Sequence, residues 1–205
     1  MIRLYRAPFS TNCERVTLAL AHKRLSGEVE SVWIDYADRS AVQAASGQGL
    51  VPVIDHDGTV VADSLAILRY LEDLAPDPPL FPRDPARRAE LELFLDWFDR
   101  VWKVKPNAIE AELSRPQPDR GRIAALSERM DARLDGFEAL LHGRDHLLGE
   151  EFSAADCAAY PFLKYATGRE PGDDELFHRV CDEHQRLEGR PALAAWIERV
   201  ASRDR

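Results

Sequence analysis

The chain has 205 residues, room for one large domain or two small ones. Apolar residues make up 45% of it and the formal net charge is −9, so a nucleic-acid partner has no electrostatic support. No apolar run approaches the roughly 20 residues of a membrane span, and the N-terminus lacks an apolar leader core, so no membrane partner is expected. Cys13, Cys157 and Cys181 are too few, and odd in number, for a disulfide framework. A reduced, cytoplasmic protein is expected.

Residues 2–6 set Ile2 and Leu4 against Arg3 and Tyr5, the alternation of a strand. Residues 11–24 carry Val16, Leu18, Ala19 and Leu20 and read as a helix, with Thr11 and Glu14 fitting a T-x-x-E capping box. After Gly27, residues 28–34 form a second strand ending near Trp33. This is a βαβ unit, so the two strands should be parallel. Residues 36–49 are polar and Ala-rich and end in Ser46-Gly47-Gln48-Gly49, a weak helix-and-loop segment. Strands at 51–55 and 59–62 flank Asp57-Gly58, a hairpin signal. Asp63-Ser64 then caps a helix over 65–75 whose Leu65, Leu68 and Leu71 share a face. A mixed four-stranded sheet covered by helices follows.

Residues 76–85 hold five prolines and read as a stiff linker. Beyond it all patterns are helical: 86–104, ended or kinked by Pro106, then 119–142, 154–167, 174–185 and 191–202. Ser153 and Asp156 form an acidic variant of the capping box, and Phe152 can staple onto Cys157. The expected fold class is α/β plus all-α, with domains at 1–76 and 86–205 joined by a linker at 77–85.

Chemistry concentrates at two helix starts, where unpaired backbone N–H groups favour anions. One follows Ala7-Pro8-Phe9-Ser10-Thr11-Asn12-Cys13; the other is Asp63-Ser64. With Val51-Pro52 between them, they could surround one small anionic ligand. His178, Cys181 and His184 drift around their helix and lack a fourth ligand, so no metal site is expected. The charges from Glu170 to Glu175 read as a solvated loop.

This pattern resembles the glutathione transferase superfamily over nearly the whole chain, in a serine-type, theta/phi-like bacterial form. Ser10-Thr11-Asn12-Cys13-Glu14-Arg15-Val16 is similar to the S-x-x-x-x-R-V motif, Val51-Pro52-Val53 to the cis-proline turn and Asp63-Ser64 to the Glu/Asp-Ser motif. Gly149 to Asp156 is similar to the cap of the central helix of the second domain. The resemblance implies a thioredoxin-like first domain, an all-helical second domain, glutathione as co-substrate and no metal. It also implies a small-molecule electrophile as partner, a detoxification role and a homodimer. It makes Ser10 the catalytic donor to the glutathione thiol, against a reading in which Ser10 only caps the helix. It places Val51 and Pro52 on the cysteinyl backbone of glutathione, and Asp63 and Ser64 on its γ-glutamyl end. An electrophile pocket would involve Phe9, Phe98 and Trp102, although Phe98 and Trp102 at i, i+4 also suit a core stripe. Two departures stand out. Leu50 occupies a position where many relatives carry Lys or Gln, and Arg39 is the single basic residue of its segment. They keep open a second reading, a binding or interaction protein on this fold with weak or no catalysis. A third reading uses Cys13 for thiol–disulfide exchange, against a buried first-turn cysteine.

Overall fold

A computed structural model describes residues 1–203 of the chain. It divides between Pro85 and Ala86 into two compact units.

The first unit is built on a four-stranded sheet of order β2-β1-β3-β4. Strand β1 (Ile2–Arg6) pairs in parallel with β2 (Val29–Trp33) and antiparallel with β3 (Val53–His56), which pairs antiparallel with β4 (Thr59–Ala62). The parallel pair is joined by α1 (Thr11–His22), as a βαβ crossover requires. Helices α2 (Ser40–Ser46) and α3 (Ser64–Leu74) complete the unit. The hairpin turns at Asp57 and Gly58, both at positive φ, as the Asp-Gly pair predicts. Strand β3 begins at Val53, two residues later than expected, directly after the cis Val51-Pro52 peptide.

Helices α1 and α3 pack against each other, and polar groups buried between them are paired. Lys23 forms an ion pair with Glu72, whose Oε2 also accepts the Leu80 N–H at 2.9 Å. The expected linker is therefore pinned to this unit: besides Leu80, the Pro79 carbonyl contacts His22 Nε2 at 3.1 Å. A buried lysine without its carboxylate would be costly, about 3–5 kcal/mol.

The second unit is helical: α4 (Pro85–Trp97), α5 (Val104–Leu113), α6 (Arg120–Asp131), α7 (Leu134–Leu141), α8 (Ala154–Leu163), α9 (Leu176–Glu183) and α10 (Pro191–Ala201). Pro106 does not end the helix it interrupts. A π-helical segment, Phe98–Trp102, precedes it, and α5 restarts at Val104 with Pro106 in its first turn, where the missing N–H costs nothing. The long pattern at 119–142 is likewise two helices, broken after Asp131.

Every residue of α8 is buried. Its capping box forms as expected: the Ser153 N–H donates to Asp156 Oδ2 at 2.9 Å and the Ala155 N–H to Ser153 Oγ at 3.3 Å. Asp156, 0% exposed, also receives Trp196 Nε1–H at 2.8 Å and the Leu147 N–H at 3.2 Å. Its two oxygens thus join α8, α10 and the turn before α8.

Candidate functional site

Topology brings the chosen residues of the first unit to one end of the sheet. Tyr5, at the C-terminal end of β1, is paired with Val53 at the start of β3, and Val53 with Ala62 at the end of β4. Ser10 follows β1, Val51-Pro52 precedes β3, and Asp63-Ser64 follows β4. Three segments distant in sequence therefore emerge side by side.

Ser10, not Thr11, is the N-cap of α1. Its backbone is extended and its Oγ accepts the Cys13 N–H at 3.3 Å. The expected Thr11–Glu14 box is thus displaced by one residue: Thr11 is the first helical residue and is buried. The T-x-x-E spacing misled because Ser10 can take the same role one step earlier, and extended φ/ψ is available there. Phe9 just before it sits at φ 56°, a positive value that costs a bulky residue energy. As an acceptor from the Cys13 N–H, the half-buried Ser10 hydroxyl keeps its own proton, for which the neighbouring Cys13 sulfur is one acceptor.

Asp63 caps α3 at φ 79°, and its Oδ1 accepts both the Leu65 and Ala66 N–H groups at 3.0 Å. The residue is exposed, and Oδ2 takes part in neither bond. Ser64 is buried and its Oγ accepts from Arg15 Nη1 at 3.2 Å. Arg15, 1% exposed, thus ties α1 to α3. Sequence reasoning quoted Arg15 within its motif but gave it no task. The signal was a charged residue on the apolar face beside Val16, where burial demands a partner. Val51 is half-buried, Pro52 is buried, and the Val51 N–H and C=O make no hydrogen bond among the described residues.

Cys13 is 1% exposed, and burial pushes its thiol up; the Ser10 hydroxyl, the Ala7 backbone and the Arg6 charge pull it down by less. This is an inert environment for a thiol-disulfide nucleophile. Arg6 was also passed over. Its guanidinium lies 4.5 Å from the centroid of the exposed Trp33 ring, and its buried Nε has no partner among the described residues. Arg39 donates to the carbonyls of Tyr36 and Gly49 at 3.2 and 3.0 Å, so it braces the loop that leads to Leu50, which is 69% exposed.

Phe98 and Trp102 do not present a surface to a ligand. Their rings stack at 4.7 Å in a cluster with Phe137 and Phe162, and both are almost wholly buried. That packing places both rings in the core of the helical unit. His178 and His184 have separate partners, Asp173 at 2.8 Å and Ser127 at 2.9 Å.

Residues 4–79 match the N-terminal domain model of glutathione S-transferases, and residues 119–199 the C-terminal domain model. FtsZ-localized protein A of Caulobacter vibrioides is 31% identical over 203 residues, covering 93% of this chain and 88% of that protein. A solved glutathione S-transferase from Rhodospirillum rubrum superposes with a TM-score of 0.77 at 30% identity, covering 99% and 89% of the two chains.

The chain belongs to the glutathione transferase superfamily.

Its mixed sheet and helical second unit are the thioredoxin-like and all-helical halves of that family. Glutathione S-transferase L3 of Arabidopsis thaliana, 25% identical over 98% of this chain and 79% of its own length, is a plant relative. Among the described residues no helix is long and apolar enough to cross a membrane.

Proposed function

We propose that this member is a glutathione transferase-like enzyme that adds the glutathione thiol to small electrophiles. The observation that carries this reading is Ser10. It stands at the start of α1 with a hydroxyl proton to give, at the sheet end shared with Val51-Pro52 and Asp63-Ser64. A free thiol, of pKa about 8.5, is only a few per cent thiolate at neutral pH. A hydroxyl donor, the N-terminal dipole of α1 and the Arg6 charge all favour the anion, and each pKa unit of depression corresponds to about 1.4 kcal/mol.

The peptide is held from its other atoms. The Val51 N–H and C=O pair with the cysteinyl backbone in the manner of an added strand, with Pro52 fixing the turn. The α3 start and the Ser64 hydroxyl, oriented by Arg15, receive the γ-glutamyl carboxylate. Asp63 Oδ2 receives the ammonium. Once bound, the sulfur anion attacks the electrophilic carbon, forms the S–C bond and expels the leaving group with its electron pair. Phe9 walls the electrophile's side of the site. The protein acts in the cytoplasm as a homodimer.

A second reading, an interaction protein on the same fold, draws on Leu50 and on Arg39. An exposed leucine stands where a cation would meet the glycyl carboxylate, and Arg39 is spent on two carbonyls. A missing charge-assisted contact costs about 1.5–3 kcal/mol. A relative named for its localisation to FtsZ is in keeping with this alternative. Calorimetry with glutathione and conjugation of a chlorinated nitrobenzene separate the two. Saturable binding with turnover that is lost in Ser10→Ala supports the enzyme. Absence of binding at millimolar glutathione overturns it.

A further inference from the structure

Strand order decides which side of the sulfur is left for the second reactant. The sheet of the first unit runs β2-β1-β3-β4. Glutathione, as placed above, takes the start of β3 through Val51 and the end of β4 through Asp63 and Ser64. Its sulfur then stands at Ser10, after β1, and the ends of β1 and β2 are left for the electrophile. Arg6 and Trp33 are the last residues of those two strands and are partners in register.

Arg6 is a cation that lacks an anion. Its side chain has no ion pair or hydrogen bond among the described residues, and its Nε is buried without a partner. A buried donor left unmade is costly, so an acceptor brought by a ligand is favoured there. The acids that follow β2 do not supply one. Asp35 Oδ1 accepts the Ala37 N–H and Asp38 Oδ1 the Ser40 N–H, both at 2.9 Å, so each carboxylate folds its own turn. The Arg6 guanidinium lies 4.5 Å from the centroid of the Trp33 ring. That cation–π contact holds the charge in place without giving its N–H donors an oxygen. Trp33 is 59% exposed, so the pair is open to a ligand from solvent. The same charge reaches the start of α1, where it pulls the Cys13 thiol down.

On the enzyme reading above, we propose that Arg6, held by Trp33, selects electrophiles that carry a carboxylate, pairing with that group while the glutathione sulfur attacks. A guanidinium presents its N–H donors in a fork that fits the two oxygens of a carboxylate. An aromatic acid suits the site further, because the indole of Trp33 offers it an exposed apolar surface beside the cation.

The test is a matched pair of substrates, a para-chlorodinitrobenzoate and the corresponding benzamide, assayed with glutathione and the full chain at low ionic strength. In both, the sulfur bonds to the chlorine-bearing carbon and chloride leaves with the electron pair. After division by the uncatalysed rates, the acid should be favoured over the amide in kcat/KM by about tenfold or more, as one charge-assisted contact gives. Arg6→Gln should bring that ratio near unity, and Arg6→Lys should keep part of it. The ratio is the readout because any loss of thiolate stabilisation slows both substrates alike. Trp33→Leu, at an exposed position, should lower the ratio by releasing the guanidinium. A wild-type ratio near unity overturns the proposal. So does a ratio that Arg6→Gln leaves unchanged, even where the KM for glutathione rises, since the cation then serves the peptide. Calorimetry with dinitrobenzoate and dinitrobenzamide in the absence of glutathione separates this proposal from the enzyme reading. Tighter binding of the acid, lost in Arg6→Gln, in a protein that conjugates neither substrate supports the carboxylate site and overturns the enzyme. Conjugation without preference for the acid does the opposite.

Discussion

Three helix starts in this molecule use the same short polar residues, yet they end in two different conditions. At α8 the cap is closed. Both Asp156 oxygens are taken, by Ser153, Trp196 and the Leu147 N–H, and the residue is wholly buried. At α1 and α3 the caps are half used. Ser10 accepts one bond and still owns a proton, and Asp63, an exposed residue, spends Oδ1 on two N–H groups while Oδ2 takes part in neither bond. A saturated cap holds a fold together; an unsaturated one at the mouth of a sheet has capacity for a ligand.

Breaking the closed cap should cost most. Asp156→Ala strands the Trp196 indole N–H and the backbone donors of Leu147 and Ser153 in the interior, at about 1–3 kcal/mol each. A loss of several kcal/mol is expected, read as a collapse of the urea midpoint by far-UV circular dichroism. Breaking the open cap should do the reverse. Ser10→Gly keeps a tolerated N-cap residue, so stability changes by only a few tenths of a kcal/mol. Conjugation should fall about 100-fold or more, as when one preorganised donor is removed. A Ser10→Gly protein that conjugates at the wild-type rate would reduce this cap to a structural one.

Asp63→Asn sharpens the same contrast at the third start. Asparagine caps as well as aspartate, so α3 survives. The charge is gone, and glutathione affinity should fall about tenfold or more by calorimetry. Unchanged affinity would assign Asp63 to capping alone.

How much of this was legible beforehand differs along the chain. The parallel β1–β2 pair followed from the βαβ spacing and the β3–β4 hairpin from the Asp-Gly turn, both set by residues near in sequence, whereas the pairing of β1 with β3 lies across space and was not legible. The α8 cap was legible because Ser153 and Asp156 satisfy each other locally. The register of the α1 cap was not: Ser10 and Thr11 are chemically alike, and only the backbone φ/ψ chooses between them. Arg15 and Arg6 escaped because their tasks lie across space, on Ser64 and on Trp33. The stripe of Phe98 and Trp102 was ambiguous for a related reason. Spacing gives the face a side chain occupies, but not whether a core or a cleft stands opposite.

Cys13 offers the finest test, because two sulfurs compete for the start of α1. Its own thiol is pushed up by burial, while a glutathione thiol held by Ser10 should be pulled down. Cys13 keeps its proton in the folded state at pH values where the unfolded chain has begun to release it. The folded state then binds more protons, so stability falls as pH rises above the ordinary thiol value. Cys13→Ala removes that contribution, and its urea midpoint should decline less than that of wild type between neutral and alkaline pH. Alkylation by iodoacetamide at neutral pH should be slow until the chain unfolds, since thiolate and access are both lacking. Conjugation, in contrast, should already proceed at neutral pH, below the range in which free glutathione ionises. If both sulfurs react with the same pH dependence, the start of α1 does not tell a buried thiol from a bound one, and the distinction between closed and open caps loses its chemical meaning.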